Sequence, residues 1–206
     1  MEYRLMKKNS YSERSKIFFD RVADTNYGNS EKLDRYILKN IDIDDETTVL
    51  DLGCGDGRFL QKLRGLNSNN ILYGLDISEK MLEIASSKKI ERCEFTLGDS
   101  SYLPYGDESI DLIVCLNSFH HYSTPGSTIK EIKRVLSSDG RVVIGDIFTL
   151  PIIREIINLY LPYSRSGDYK MYSKKSLDKI FSAEGFENQN FSIISPWLFV
   201  SEYKKK

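Results

Sequence analysis

The sequence has no surplus of positive charge: its 206 residues carry 29 Lys and Arg against 30 Asp and Glu, a net charge of −1. Binding to nucleic-acid phosphates draws on clustered Lys and Arg. The balance therefore gives no electrostatic case for DNA, and little for RNA. Lys204 to Lys206 form a small basic tail that reads as a solvated end. Cysteine is scarce. Cys54, Cys93 and Cys115 stand at no metal-ligand spacing, and an odd number does not make a disulfide framework. Free thiols in a reducing compartment are the expectation. No stretch reaches the 18 or so apolar residues that a membrane-spanning helix needs. The opening MEYRLMKKNSYSERSK lacks the apolar run of a secretory signal. These absences predict a soluble, cytoplasmic protein. Histidine is scarce as well: the two present, His120 and His121, are adjacent.

What is present suits one folded domain. Hydrophobic residues make up 40% of the chain, enough for a core, and charged residues 29%, enough for a solvated surface. Apolar spacing predicts helices over 11–24 and 29–41, through Ile17, Phe18 and Val22, then Leu33, Tyr36 and Ile37. The run TVLDL (48–52) reads as a strand leading into glycines, with a helix over 57–65. ILYGL (71–75) reads as a second strand, and Ser78 as the N-cap of a helix carrying Met81, Leu82 and Ile84. CEFTL (93–97) alternates as a third strand. The nearly unbroken apolar run from Ile110 to Leu116 fits a buried parallel strand. A helix from Thr128 to Leu136, a turn at Asp139-Gly140 and a strand at Val142–Ile144 follow. Helices over 150–160 and 174–184 precede a terminal hairpin of Phe191–Ile194 and Leu198–Ser201. Alternating strands and helices imply a parallel sheet with right-handed crossovers and helices on both faces. The domain divides into a helical cap (1–45), a central core (46–148) and closing helices with the hairpin (149–206).

The loop DLGCGDG (51–57) joins the first strand to a helix. Glycines there allow a tight turn and a close approach of backbone to ligand. Its spacing is G-x-G-x-G, not the G-x-G-x-x-G of dinucleotide sites, and no Gly-Lys-Ser/Thr of a P-loop follows. Asp51 and Asp56 flank it. A pyrophosphate seated there would meet two like charges, at a cost on the order of 1 to a few kcal/mol per contact. A ligand bearing a sulfonium and an ammonium, and no phosphate, would be attracted. Asp76 closes the second strand, where an acid can accept from both ribose hydroxyls, or simply favour the start of the next helix. Asp99, after the third strand, can bind an adenine amine or stand in a surface turn.

Four segments carry a family resemblance: VLDLGCGDGRFL (49–60), LYGLDISEKML (72–82), FTLGDSSYLPYGDESIDLIVCLNSFHH (95–121) and EIKRVLSSDGRVVIGDIF (131–148). Together they resemble the class I, Rossmann-like methyltransferases that use S-adenosylmethionine, above all the branch that includes ubiquinone and menaquinone biosynthesis methyltransferases. The similarity spans about residues 47–148, with motifs in the family's order. It implies a doubly wound α/β fold, with a seven-stranded sheet of order 3-2-1-4-5-7-6 whose strand 7 is antiparallel. It also implies Asp51, Gly53 and Gly55 around the methionine moiety, Asp76 on the ribose, Asp99 on adenine and Met81 against the adenosine. Cys54, Ile77, Gly98, Ser100 and Asn117 complete the candidate cofactor set. No metal ligands are expected.

The acceptor side is expected beyond the fourth strand, since ligands of open parallel sheets bind outside the carboxyl ends of the strands. His120 and His121 sit there, in a pKa range suited to general-base work. Neighbouring residues point different ways, so one should face the site, with His120 slightly preferred; a purely structural role for both stands equally open. Methyl transfer needs no base when orientation suffices. The Asn/Asp-Pro-Pro-Tyr/Phe motif of exocyclic-amine methylases is absent, as is the paired-Glu loop of arginine methylases. Cys115 lies in an apolar strand as an inert thiol. Phe18, Phe19, Tyr27 and Tyr36, with Tyr160, Tyr163, Tyr169 and Tyr172, either fill helix–sheet packing or line a site for a planar or greasy acceptor. Residues 163–172 read as a lid. The leading expectation is methyl transfer to a small molecule, quinone-like, aromatic or another metabolite, by a monomer or homodimer. A tRNA wobble-base methylase, to which HHYST (120–124) is similar, a non-catalytic cofactor-binding protein and a dinucleotide oxidoreductase are the alternatives.

Overall fold

The computed structural model describes residues 11–25, 31–67 and 69–206, with Pro162 described by its backbone alone. Tyr27 and the start expected for the second helix lie outside these residues. In chain order the elements are α1 (Tyr11–Val22), α2 (Glu31–Asn40), β1 (Thr48–Leu52), α3 (Arg58–Leu66), β2 (Ile71–Asp76) and α4 (Glu79–Ser87). Then come β3 (Cys93–Leu97), β4 (Ile110–Leu116), a 3-10 turn (Phe119–His121), α5 (Pro125–Val135), β5 (Leu136–Ile147) and α6 (Pro151–Tyr160). A second 3-10 turn (Leu161–Tyr163), α7 (Lys174–Ala183), β6 (Phe186–Ser195) and β7 (Leu198–Lys205) complete the fold.

The strands form one sheet of order β3-β2-β1-β4-β5-β7-β6. The first five are parallel, and β7 runs antiparallel to both β5 and β6. This is the expected doubly wound α/β order. It reverses direction between β1 and β4, where the chain leaves β1 to one side and β4 to the other, so a crevice opens above their carboxyl ends.

Side-chain alternation along the strands builds two cores. Leu50, Leu52, Ile113, Cys115, Val142 and Ile144 meet Ile129, Ile132 and Val135 of α5 and Leu177 and Phe181 of α7 on one face. Val49, Leu72, Leu112, Val114 and Val143 meet Leu33 and Ile37 of α2 and Phe59, Leu60 and Leu63 of α3 on the other. Phe181 stacks on Tyr203 at 4.0 Å, sealing the hairpin to α7.

Several boundaries differ from the sequence expectation. The helix placed at Thr128 begins at Pro125, because proline at the first helical position lacks only an N–H that the helix leaves unpaired anyway. Asp139-Gly140, expected as a turn, lies within β5. There the register with β4 jumps from Ile110↔Leu136 to Leu112↔Arg141, so the intervening residues bulge out of the ladder. The terminal hairpin strands extend beyond their apolar centres to Phe186 and Lys205.

Candidate active site

The glycine loop folds over the end of β2. The amides of Gly53 and Cys54 both donate to the Leu75 carbonyl, at 2.7 and 3.1 Å, and the Gly57 amide to the Cys54 carbonyl at 3.0 Å. Gly53 stands at φ +80°, and a Cβ there would lie 2.0 Å from Ser118 Oγ. Gly57 caps α3 at φ +72°, with the Phe95 ring 2.8 Å from where its Cβ would be. Glycine is required at both positions by conformation and by space.

Above this loop lies a cavity of about 260 Å³. Of the cofactor set expected from sequence, Gly53, Cys54, Gly55, Asp76, Ile77 and Met81 line it, and so do Gly98, Asp99, Ser100 and Asn117. Asn117 holds φ +51°, a left-handed conformation that asparagine tolerates better than most residues. Asp51 is absent from the cavity wall. It lies on the α2–α3 face of the sheet, 2% exposed, with Oδ1 making no hydrogen bond.

The acids divide into two kinds. Burial, then the neighbouring Asp34 and Asp76 charges, push the Asp51 carboxyl well above its ordinary range. Burial raises Asp76 too, against the opposing pull of the amides it accepts from. Those amides are Gly55 N to Oδ2 and Ser78 N to Oδ1, both at 2.8 Å. Asp56, by contrast, pairs with Lys88 at 2.7 Å and is more than one-third exposed. The phosphate-repelling role expected of Asp56 is thereby weakened, because Lys88 neutralises it. The local excess of negative charge rests on Asp51 and Asp76. Asp76, a desolvated acid on the cavity wall, fits a cationic ligand such as S-adenosylmethionine.

Asp99 spends Oδ1 on the amide and hydroxyl of Ser101, at 2.8 and 2.7 Å. The Cys54 thiol is raised by burial, and Cys115 is fully buried with its thiol raised in the same way. Neither is poised as a nucleophile.

The two histidines separate as their adjacency requires. His121 lines the cavity and His120 does not, the reverse of the slight sequence preference. His120 Nδ1 lies 2.6 Å from Asp146 Oδ1, and its backbone N–H donates to Asp146 Oδ2 at 3.0 Å. Beyond it, Asp168 Oδ1 is 3.5 Å from His120 Nε2 and 3.2 Å from His121 Nδ1. The two carboxylates outweigh the cost of burial and raise His120 to about 10. Burial, then the neighbouring His120 charge, lower His121 to about 3, leaving it neutral. Sequence reasoning passed over Asp146 and Asp168, although both sit in stretches it had singled out.

α1 roofs the cavity. Ser12, Ser15 and Phe19 line it, and the Phe19 ring meets His121 edge-on at 5.1 Å. Ser15 Oγ donates to the carbonyls of Ser166 and Gly167, and Arg14 Nη1 to that of Ser164. Of the remaining aromatics, Tyr160 and Tyr163 are exposed and Tyr172 packs in the core. Residues 164–168, to which these bonds run, form a strap beside α1, and at its end Tyr169 meets Tyr11 at 5.0 Å.

Comparison with known proteins agrees with this geometry. A methyltransferase-domain family model matches residues 43–189. The methyltransferase YcgJ of Bacillus subtilis is 32% identical over 173 residues, covering 81% of this chain and 66% of that protein. The demethylmenaquinone methyltransferase of Thermotoga maritima is 31% identical over 172 residues, 75% of each chain. A Haloferax volcanii methyltransferase, solved in complex with the Trm112 methyltransferase activator, superposes with a TM-score of 0.81 at 19% identity. That match covers 92% of this chain and 96% of that one, and shows likeness of fold. The chain thus spans about two-thirds to three-quarters of the length of these two sequence relatives.

The crevice and glycine loop define a Rossmann-like methyltransferase. This chain belongs to the methyltransferase-domain family, as a class I enzyme whose cofactor is S-adenosylmethionine.

Proposed function

We propose that the chain transfers a methyl group from S-adenosylmethionine to a small-molecule acceptor held between the glycine loop and α1. The carrying observation is the roof. Ser15 is bonded to the 164–168 strap, and Phe19 lies against His121, so α1 covers part of the acceptor side and narrows the groove beside His121. A partly covered cleft lined by Phe19 and His121 suits a planar or apolar metabolite better than a polynucleotide. The Thermotoga maritima relative, named for demethylmenaquinone, supports a quinone-like acceptor.

Gly53 and Gly55 would hold the methionine moiety, and Asp76 the ribose. Asp99 would hold adenine, with Met81 against the nucleoside. S-adenosylmethionine supplies an activated methyl on a sulfonium that departs as a neutral thioether. The protein's part is to align acceptor and sulfonium in line. Phe19 and α1 cover part of the cavity, and neutral His121 stands on its wall, where it can orient an acceptor hydroxyl.

Radiolabelled methyl transfer into a panel of hydroquinones, phenols and enols, beside bulk tRNA, tests the proposal. Label in an organic-extractable small molecule supports it. Label in tRNA alone overturns it.

A further inference from the structure

Beside the cofactor cavity, His120, His121 and Asp168 form the group of three potential ligands found among the described residues, with their donor atoms within 4.8 Å of one another. Each donor is already oriented. His120 turns Nδ1 to Asp146, leaving Nε2 free to face Asp168. Asp146 is itself anchored by the amides of His120 and Ile147, at 3.0 and 2.7 Å. Asp168 gives Oδ2 to the hydroxyls of Ser164 and Ser166, at 3.1 and 2.5 Å, and turns Oδ1 to the two imidazoles.

His121 Nδ1 is buried and makes no hydrogen bond, although Asp168 Oδ1 is only 3.2 Å away. The distance is right for a bond and the direction is not. Two nitrogens and an oxygen bound tetrahedrally at zinc distances are separated by about 3.3 Å. Here the two nitrogen–oxygen separations are 3.5 and 3.2 Å. The Asp146–His120 pair reproduces the carboxylate–histidine arrangement that fixes metal-bound imidazoles.

We infer that His120 Nε2, His121 Nδ1 and Asp168 Oδ1 form a binding site for a divalent transition metal of the zinc type, with Asp146 as the partner that orients His120. The expectation of no metal ligands, drawn from cysteine spacing, did not consider these three residues together. His121 lines the cavity, so the ion lies at its wall with a coordination position left for an acceptor oxygen. A hydroxyl bound there loses its proton to solvent. Its oxygen then takes the methyl as the carbon–sulfur bond breaks, and the sulfonium becomes a thioether. This last step rests on the small-molecule reading above; metal binding does not.

The test uses tag-free protein stripped with chelator and titrated with Co2+, read by the visible absorption of tetrahedral cobalt, then challenged with Zn2+. One cobalt per chain, displaced by one zinc, is expected. Asp168→Ala and His121→Gln should each weaken binding at least tenfold, and Asp146→Asn by about 10- to 100-fold. All three should keep the far-ultraviolet circular dichroism and the cooperative melting of the unaltered chain, which shows that they fold. If one variant fails to fold, the other two carry the comparison. Absence of stoichiometric binding to the unaltered chain overturns the site, as does unchanged affinity in every folded variant. Metal binding without turnover of any hydroxyl acceptor would overturn the acceptor reading and leave the site standing.

Discussion

The Gly55 amide donates to Asp76 Oδ2 across 2.8 Å, joining the glycine loop after β1 to the acid that ends β2. The bond does two things at once. It sets the loop's height above the sheet, and it holds a desolvated carboxylate at the cavity wall. The second Asp76 oxygen accepts from Ser78, the N-cap of α4, whose own hydroxyl donates to Asp20 of α1 at 2.7 Å. The glycine loop and α1 are thus mechanically connected through Asp76 and Ser78.

Replacing Asp76 removes the loop brace and, on the proposed reading, the ribose acceptor. Asp76→Ala should weaken binding of S-adenosylhomocysteine by roughly 1–3 kcal/mol, about 5- to 150-fold. Calorimetry on the two proteins measures it, and equal affinities would remove Asp76 from the cofactor site.

Asp56 offers the contrast. It is paired with Lys88 and partly exposed, and such pairs contribute about 0–1 kcal/mol. Asp56→Asn should therefore change cofactor affinity by less than about fivefold in the same titration.

Acid pH should oppose cofactor binding. Burial leaves Asp51 and Asp76 holding their protons to a higher pH in the folded chain than in the unfolded one. The ligand-free fold gains from this below the ordinary carboxylate pKa and loses the contribution as pH rises through the raised values. A cationic ligand acts in the opposite sense, because it binds the ionised acids and releases their protons. Below about pH 7.5 the cofactor's own amine stays charged, so it does not reverse the trend. The cofactor-induced rise in melting temperature should grow from pH 5 to pH 7. A flat profile would separate the acids from the ligand.

The roof can be loosened at one atom. Gly167 stands at φ +74°, and a Cβ there would lie 2.6 Å from the Ser15 backbone nitrogen. Gly167→Ala adds left-handed strain of about 1–2 kcal/mol and pushes α1 away. Limited trypsin digestion should then cut faster at Lys16 and Arg21, and the acceptor KM should rise more than the cofactor Kd. Unaltered digestion would mean that the strap does not hold α1.

The sheet was legible because its signal is local. Buried runs such as LIVCL (112–116) and the turns between them are read within a few residues, and the glycine loop announces the carboxyl end of β1. The glycine loop, Asp76, Asp99 and Asn117 were legible for the same reason, since each lies at or just after the end of a strand, whereas Ser12 and Ser15 of α1, which also line the cavity, were not. Asp146 and Asp168 were not, because their meaning comes from contact with His120 across folded space. Asp51 faces away from the cavity because alternation along β1 carries it to the α2–α3 side. A one-dimensional reading of the loop does not distinguish that face.

Titration of the purified chain with S-adenosylmethionine at neutral pH, with NADH as competitor, bears most directly on the site. One cationic nucleoside bound per chain, undisturbed by the dinucleotide, is the predicted result. Binding of NADH at residues 51–57, with displacement of the methyl donor, would contradict the account.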